Sequence, residues 1–376
     1  MAAVWFGVPA AQGRGKTLPG VDSSNYYPFT QIDKSNVAKL EMAWFYPYAA
    51  PTFSPVYADG VLYGLGRREE ALVHWREAAR LSPELSLAWR NVGYAERQLH
   101  SDDRAAVQAY RNAFLADETD ARVLLELDQV EERLGVAAQE RLARMDSHYQ
   151  VMTARDDLVA RWIDLKLQVG SPTDLAAARS MLLSRHFRSW EGGYGIHHLF
   201  VEASQRAGEI ALANRDWRTA IERYQEAFQY PKNLEVAART PDFKAHLNWA
   251  LGSAYVAAGH RSEARAAFEA VLAEKYAQPA LGTYYQALVL RELGSRSEAT
   301  SRLAQLEERA RALVASSSAR GGRGGAVGEY LMSLVLSARG DKAGSAEARA
   351  RAQQLDPHPA RAALTQAQVE FAGAHQ

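Results

Sequence analysis

The sequence predicts an all-α fold: an α-α superhelix of stacked helical hairpins, with a short irregular or β segment at its N-terminus. Three observations carry this. From about residue 62 to the end, apolar residues keep helical spacing, and single glycines break the pattern at hairpin-like intervals. An alanine followed four residues later by a large apolar residue recurs at Ala71–Trp75, Ala106–Tyr110, Ala220–Tyr224, Ala264–Phe268 and Ala299–Leu303. Residues 1–61 lack that pattern and hold Pro, Gly, Tyr and Phe in loop-like clusters.

The first twelve residues, MAAVWFGVPAAQ, are apolar and end in small residues. They resemble the tail of a secretory signal without its basic start, which leaves cytoplasm and periplasm both open. Residues 23–65 follow a different text. Tyr27, Pro28, Thr30 to Ile32, Asn36-Val37, Leu40, Ala43-Trp44 and Tyr46, then Pro55, Asp59-Gly60-Val61 and Tyr63, resemble the first blade of the pyrroloquinoline-quinone-dependent dehydrogenases. That family is built as β-propellers, and a propeller needs several blades to close and hide its sheet edges. The later blades, which in that family carry the quinone and metal ligands, have no counterpart. The expectation is therefore no cofactor and no metal.

Helical text begins near Leu62. Ala71, Trp75, Ala78 and Pro83 close a first hairpin. Trp89-x2-Val92-Gly93 opens a second, closed by Ala106 and Tyr110 with one extra residue around His100 to Asp103. A third starts at Ala121 and turns at Gly135. Residues 156–186 form a pair around Gly170-Ser171-Pro172, with Asp156 and Thr173 or Asp174 as N-caps. Residues 187–198 break the helix, and Trp190 and Tyr194 fold back on the hairpin. Gly208, Ala220, Tyr224, Ala227 and Pro231 return to pattern, and YPKNLEVAARTPDF is a loop insertion. The central hairpin runs from His246 to Ala273, turning at Gly259-His260. Gly294, Ala299 and Leu303 repeat the theme. Residues 317–328 read as flexible linker, 329–356 as a last pair, and Pro359 to Phe371 as a polar end cap.

The spacing Leu251-Gly252, Tyr255, Ala264, Phe268 resembles the tetratricopeptide (TPR) repeat, W-x2-L-G-x2-Y then A-x3-F then P. Small Gly252 and Ala264 suit a close helix crossing, and Tyr255 and Phe268 suit the gaps beside it. Asn248 holds the consensus Trp place, with Trp249 one step on. Residues 68–260 also resemble the C-terminal repeat tail of large bacterial proteins that carry a domain of unknown function ahead of the repeats. The matching residues are Leu124-Leu125, Glu126 to Gln129, Arg133 to Gly135, Glu140 to Leu142, Arg155 to Leu158, Phe187, Trp190 to Gly193, Gly195, Tyr230-Pro231 and Asn233-Leu234. The domain organisation expected is a quinoprotein-like segment, residues 1–61, and a helical repeat domain, residues 62–376.

Composition narrows function. Among 376 residues, Lys plus Arg and Asp plus Glu are 44 each, which argues against bulk binding to nucleic acid or anionic membrane. There is no cysteine, so thiol catalysis and disulfides are excluded. No apolar run approaches a membrane span. GRGKT at residues 13–17 resembles the end of a phosphate-binding loop, but Ala10 stands where the motif needs glycine. His186 and His197-His198 lack metal-ligand spacing. The Arg-Gly run at 319–325 reads as linker. Glu69-Glu70 and Glu131-Glu132 read as solvated helix surface beside arginines. No Ser-His-Asp or G-x-S-x-G pattern is present.

What remains is a non-enzymatic scaffold that binds a peptide or protein. In TPR proteins the first helix of each pair lines the groove. The facing positions here are Arg90, Asn91 and Tyr94, then Gln205, Arg206 and Glu209, then Trp249 and Ser253. Arg90 and Asn91 suit a peptide carboxylate. The alternative is a remnant or accessory fragment of a periplasmic quinone-dependent dehydrogenase.

Overall fold

A computed structural model describes residues 56–58, 61–63, 68–188, 195–318 and 324–375. The fold is an all-α, TPR-like solenoid of helical hairpins, preceded by a short β-hairpin. Strands β1 (Val56–Ala58) and β2 (Val61–Tyr63) pair antiparallel, Val56 opposite Tyr63. They are the described part of the quinoprotein-like stretch. The rest of that stretch, the signal-like start, GRGKT, Trp190 and Tyr194 lie outside the described residues. Leu62 and Tyr63 are strand, not the helix expected from Leu62, and among the described residues the first helix is Arg68–Leu81.

The described residues form two compact units divided at Ser171/Pro172. The first holds α1 (Arg68–Leu81), α2 (Ser86–Ala95), α3 (Asp103–Ala116), α4 (Ala121–Arg133), α5 (Ala138–Ser147), α6 (Tyr149–Met152) and α7 (Asp156–Val169). The second holds α8 (Pro172–Ser184), α9 (Ile196–Ala213), α10 (Trp217–Glu226), α11 (Ala245–Ala258), α12 (Arg261–Ala273), α13 (Leu281–Glu292), α14 (Arg296–Ser318), α15 (Gly324–Ala338), α16 (Lys342–Leu355) and α17 (Pro359–Gly373).

Why these helices pair is visible at one repeated contact. A Cβ added to Gly93 would stand 2.9 Å from the Tyr110 ring, one on Gly208 2.6 Å from Tyr224, and one on Gly252 2.5 Å from Phe268. Each glycine sits on the first helix of a hairpin and each ring on the second. The ring lies where a side chain would be, and the backbones close on it. In the next hairpin Ala287 takes the glycine's place, sixteen residues before Leu303, and both are buried. In the last, Ser333 and Ser345 hold the two small positions, and the Ser345 hydroxyl donates to the Ser333 carbonyl at 2.8 Å. Tyr255 differs from expectation: its hydroxyl accepts from Gln225 of α10 at 3.0 Å, so it links hairpins instead of filling its own.

The turns follow local chemistry. Gly259, at φ 81°, ends α11 in the left-handed conformation that glycine adopts without cost. The second hairpin has no such glycine. Its extra residue is absorbed by a π-helical turn, Glu96–His100, and Ser101 takes the left-handed position. Asp102, Asp120 and Asp216 cap α3, α4 and α10 through their carboxylates. Asp156 is the first residue of α7 rather than its cap; Arg155 holds the cap position. The expected linker is largely helix: α14 runs to Ser318 and α15 starts at Gly324, leaving residues 319–323 outside the description.

The first unit is also joined by charge. Glu131 is fully buried and Asp128 is 1 % exposed, so Glu131-Glu132 is not solvated surface as the sequence suggested. Arg141 forks onto both Asp128 oxygens at 2.8 and 3.0 Å. Arg161 of α7 reaches Asp128 at 2.7 Å and Glu132 at 2.9 Å. Arg111 of α3 and Arg144 of α5 both reach Glu131. Burial disfavours the Arg161 charge, and the Asp128 and Glu132 carboxylates more than restore it. Neighbours in sequence point to different sides of a helix, so each carboxylate meets arginines from helices that sequence adjacency does not show.

α17 is not a polar end cap. Ala363, Ala367 and Phe371 share one face and are buried in the second unit's core with Phe243, Leu281 and Leu331. α17 folds back over α15 and α13. Its stripe is mostly alanine, which is why the segment reads as polar.

Candidate functional site

The first helices of the second unit, α9, α11, α13 and α15, each carry a residue at an equivalent position. Gln205 and Trp249 stand three residues before Gly208 and Gly252. The same step back from Ala287 and Ser333 gives Tyr284 and Tyr330. All four are half-buried. The Trp249 ring stacks on Phe268 at 5.6 Å, which holds it beside the hairpin crossing. Tyr284 and Tyr285 meet edge-on at 5.4 Å. Burial raises the hydroxyl pKa of Tyr284 and Tyr330, and the positive charge of the exposed Arg349 of α16 opposes that rise in both. Tyr284 and Tyr330 were missed from sequence because alanine and serine, not glycine, mark their hairpins. The three-residue step would have found them.

The expected groove residues fall in two places. Arg90, Asn91 and Tyr94 lie on α2 in the first unit, all half-buried. The Arg90 guanidinium donates to Glu126 of α4, tying the second hairpin to the third. The other five lie on neighbouring helices of the second unit. Arg206 donates to Glu202 one turn back at 2.9 Å, and Arg361 of α17 donates to the same carboxylate at 2.7 Å. Surrounding protein raises the Glu209 carboxyl above its ordinary range, although the side chain keeps an exposed edge. The Ser253 hydroxyl donates to the Trp249 carbonyl at 2.9 Å.

The histidines are placed by packing. His186 pairs with Glu235 at 2.8 Å. His197 stacks on Tyr230 at 3.8 Å and hydrogen-bonds the Gln229 carbonyl. His246 is the unusual one. It is buried beside Phe243, and its Nδ1 has no hydrogen-bond partner among the described residues. Burial, and secondarily His198, push its pKa down to about 3. The neutral ring is therefore the folded form. Its stabilising effect is complete above the unfolded value near 6.5 and is lost as pH falls toward the folded value. Between pH 6.5 and 5 this costs about 2 kcal/mol. His246→Gln is expected to flatten the loss of thermal stability between pH 7 and 5; an unchanged pH slope contradicts the assignment.

Among the described residues no helix is long and apolar enough to cross a membrane. The fold defines the class: a helical-repeat protein of TPR-like hairpins. No protein-family model matches the chain. Among solved structures, the MamA protein aligns with 50 % of this chain and 89 % of its own, at 18 % identity and TM-score 0.35. The APC/C hetero-tetramer Cut9-Hcn1 aligns over 76 % of this chain and 46 % of its own, at 13 % identity and TM-score 0.36. The human IFIT1 dimer with PPP-AAAA aligns over 77 % and 68 %, at 12 % identity and TM-score 0.30.

Proposed function

We propose that the protein is a non-enzymatic scaffold whose second unit binds an extended protein or peptide segment across α9, α11, α13 and α15. The observation that carries the reading is the set Gln205, Trp249, Tyr284, Tyr330, one residue from each of four successive first helices. Its three half-buried rings give apolar contact at low entropic cost, and Gln205 with the flanking Arg206, Glu209 and Ser253 gives polar contacts that set register. Arg349 favours an acidic residue near the two tyrosines. On α2, Asn91 and Tyr94 offer a smaller contact surface, with Arg90 engaged by Glu126.

The quinoprotein-like reading of residues 23–65 rests on the sequence pattern alone. Under that reading the chain joins a blade fragment to a repeat array, and no quinone-site residue comes with it.

The test is selection of binders from a random-peptide library on the full chain. Tyr284→Ala and Tyr330→Ala are each expected to weaken a selected peptide about tenfold. Arg265→Ala, on the exposed face of α12 where it pairs only along its own helix, leaves affinity unchanged. Selected peptides indifferent to both tyrosines contradict the proposal.

A further inference from the structure

The surface beneath α17 already has an occupant, and the occupant shows what the surface takes. α17 does not stack on α16 as a next repeat would. Arg361 reaches Glu202 on α9. The Gln368 side chain accepts from the Phe243 backbone N–H at 2.9 Å and donates to the Pro241 carbonyl at 2.9 Å, both just before α11. The Glu370 carbonyl accepts from the Ala277 backbone N–H, just before α13, and its carboxylate accepts from Arg309 of α14. Phe371 lies 6.1 Å from the Tyr276 ring. α17 thus touches the first helix, or the segment leading into it, of successive hairpins.

The contact is specific but thinly packed. Its buried apolar residues are Pro359, Ala363, Ala367 and one large ring, Phe371, with Ala362 and Leu364 partly buried beside them. Under its first half an open cavity of about 400 Å³ remains, lined by Leu313, Val327, Arg361 and Ala362 among others. The remaining ties are ion pairs and amide hydrogen bonds, which a second helix with the same groups in the same order can replace.

We propose that this is a helix-binding site, held at rest by α17, and that its partner is an amphipathic helix of the pattern R-x-A-x3-A-x3-F. Arginine meets Glu202, two small residues cross the floor, and an aromatic enters beside Tyr276. The proposal deepens the scaffold reading and rests on it for the partner's being a protein.

The chain has no cysteine, so a single pair can lock the helix cleanly. A Cβ on Gly373 stands 3.5 Å from the Ala277 Cβ, within disulfide reach. The probe is a labelled synthetic peptide of residues 357–376, titrated into the full chain. The reduced Ala277→Cys, Gly373→Cys chain binds it at least tenfold more tightly than the oxidised chain. A Phe371→Ala chain, with its own helix loosened, binds it at least tenfold more tightly than the unaltered chain. Should Phe371→Ala fail to fold, the cysteine pair decides alone. Equal binding to oxidised and reduced chains overturns the proposal, as does absence of binding to both the reduced pair and a folded Phe371→Ala chain. The test is independent of Tyr284 and Tyr330: library peptides that ignore those tyrosines would remove the extended-segment reading and leave this result standing.

Discussion

Asp128→Ala is expected to lower stability by about 3 kcal/mol, the low end of the cost of breaking a buried ion pair, because Glu132 still accepts from both guanidiniums. Asp128 is the shared acceptor of two guanidiniums, forked by Arg141 and reached by Arg161. Arg141 is 3 % exposed, so water cannot replace the lost carboxylate. Both guanidiniums keep Glu132, Arg161 at 2.9 Å and Arg141 at 3.2 Å, but Arg141 loses its two-oxygen fork and is the more affected. The loss is read by chemical denaturation, with hydrogen exchange assigning it to α4, α5 and α7. The companion variant, Asp128→Leu with Arg141→Leu, removes both charges and recovers at least half of the loss. A stability within about 1 kcal/mol of the unaltered protein, the ordinary scale of an exposed pair, would show that solvent reaches the cluster.

Gly252→Val is the second large effect. Its Cβ would stand 2.5 Å from a Phe268 ring carbon and 3.3 Å from the Ala267 Cβ. Phe268 is 3 % exposed and held between Trp249 and the core, so the ring has nowhere to go. Overpacking of this kind costs about 1–3 kcal/mol, and the better helix propensity of valine returns only a few tenths. We expect a net loss near the top of that range. The check is a double-mutant cycle: Phe268→Leu, which frees the ring's space, makes Gly252→Val much less costly than it is alone. Additive losses would mean that the glycine and the ring do not share one space. The same logic applies to Gly208 against Tyr224, whose ring is nearly as close.

These two sites show which parts of the structure are legible in sequence. The hairpins are legible because their packing is local. A glycine, a ring sixteen residues on and a turn between them all fall within one repeat, so spacing alone reports the contact. The one-residue insertion near His100 was legible as well, although its form, a π-turn closing on Ser101, was not. The charge cluster was illegible because its members come from α3, α4, α5 and α7. Glu131-Glu132 beside arginines looks the same on a solvated helix as in a buried network. α17 was misread for another reason. Alanines at four-residue spacing give little hydrophobic contrast, so a docked helix and a polar cap read alike. The set was half legible: Gln205 and Trp249 were found as groove positions of the repeat pattern, while Tyr284 and Tyr330 precede Ala287 and Ser333, whose hairpins lack the marking glycine.

The arrangement of the second unit gives its hairpins different work on two sides. The second helices supply packing: Phe268 from α12, Leu303 and Leu306 from α14, and the small residues Ser345, Ala348 and Ala352 from α16. The first helices carry the set and receive α17. The most direct measurement is hydrogen exchange on the full chain, with and without a library-selected peptide at saturation. A partner on the first-helix face slows exchange in residues 245–258, 281–292 and 324–338 and leaves residues 261–273 and 342–355 unchanged. Protection that falls on those second helices, or only in residues 68–169, contradicts it.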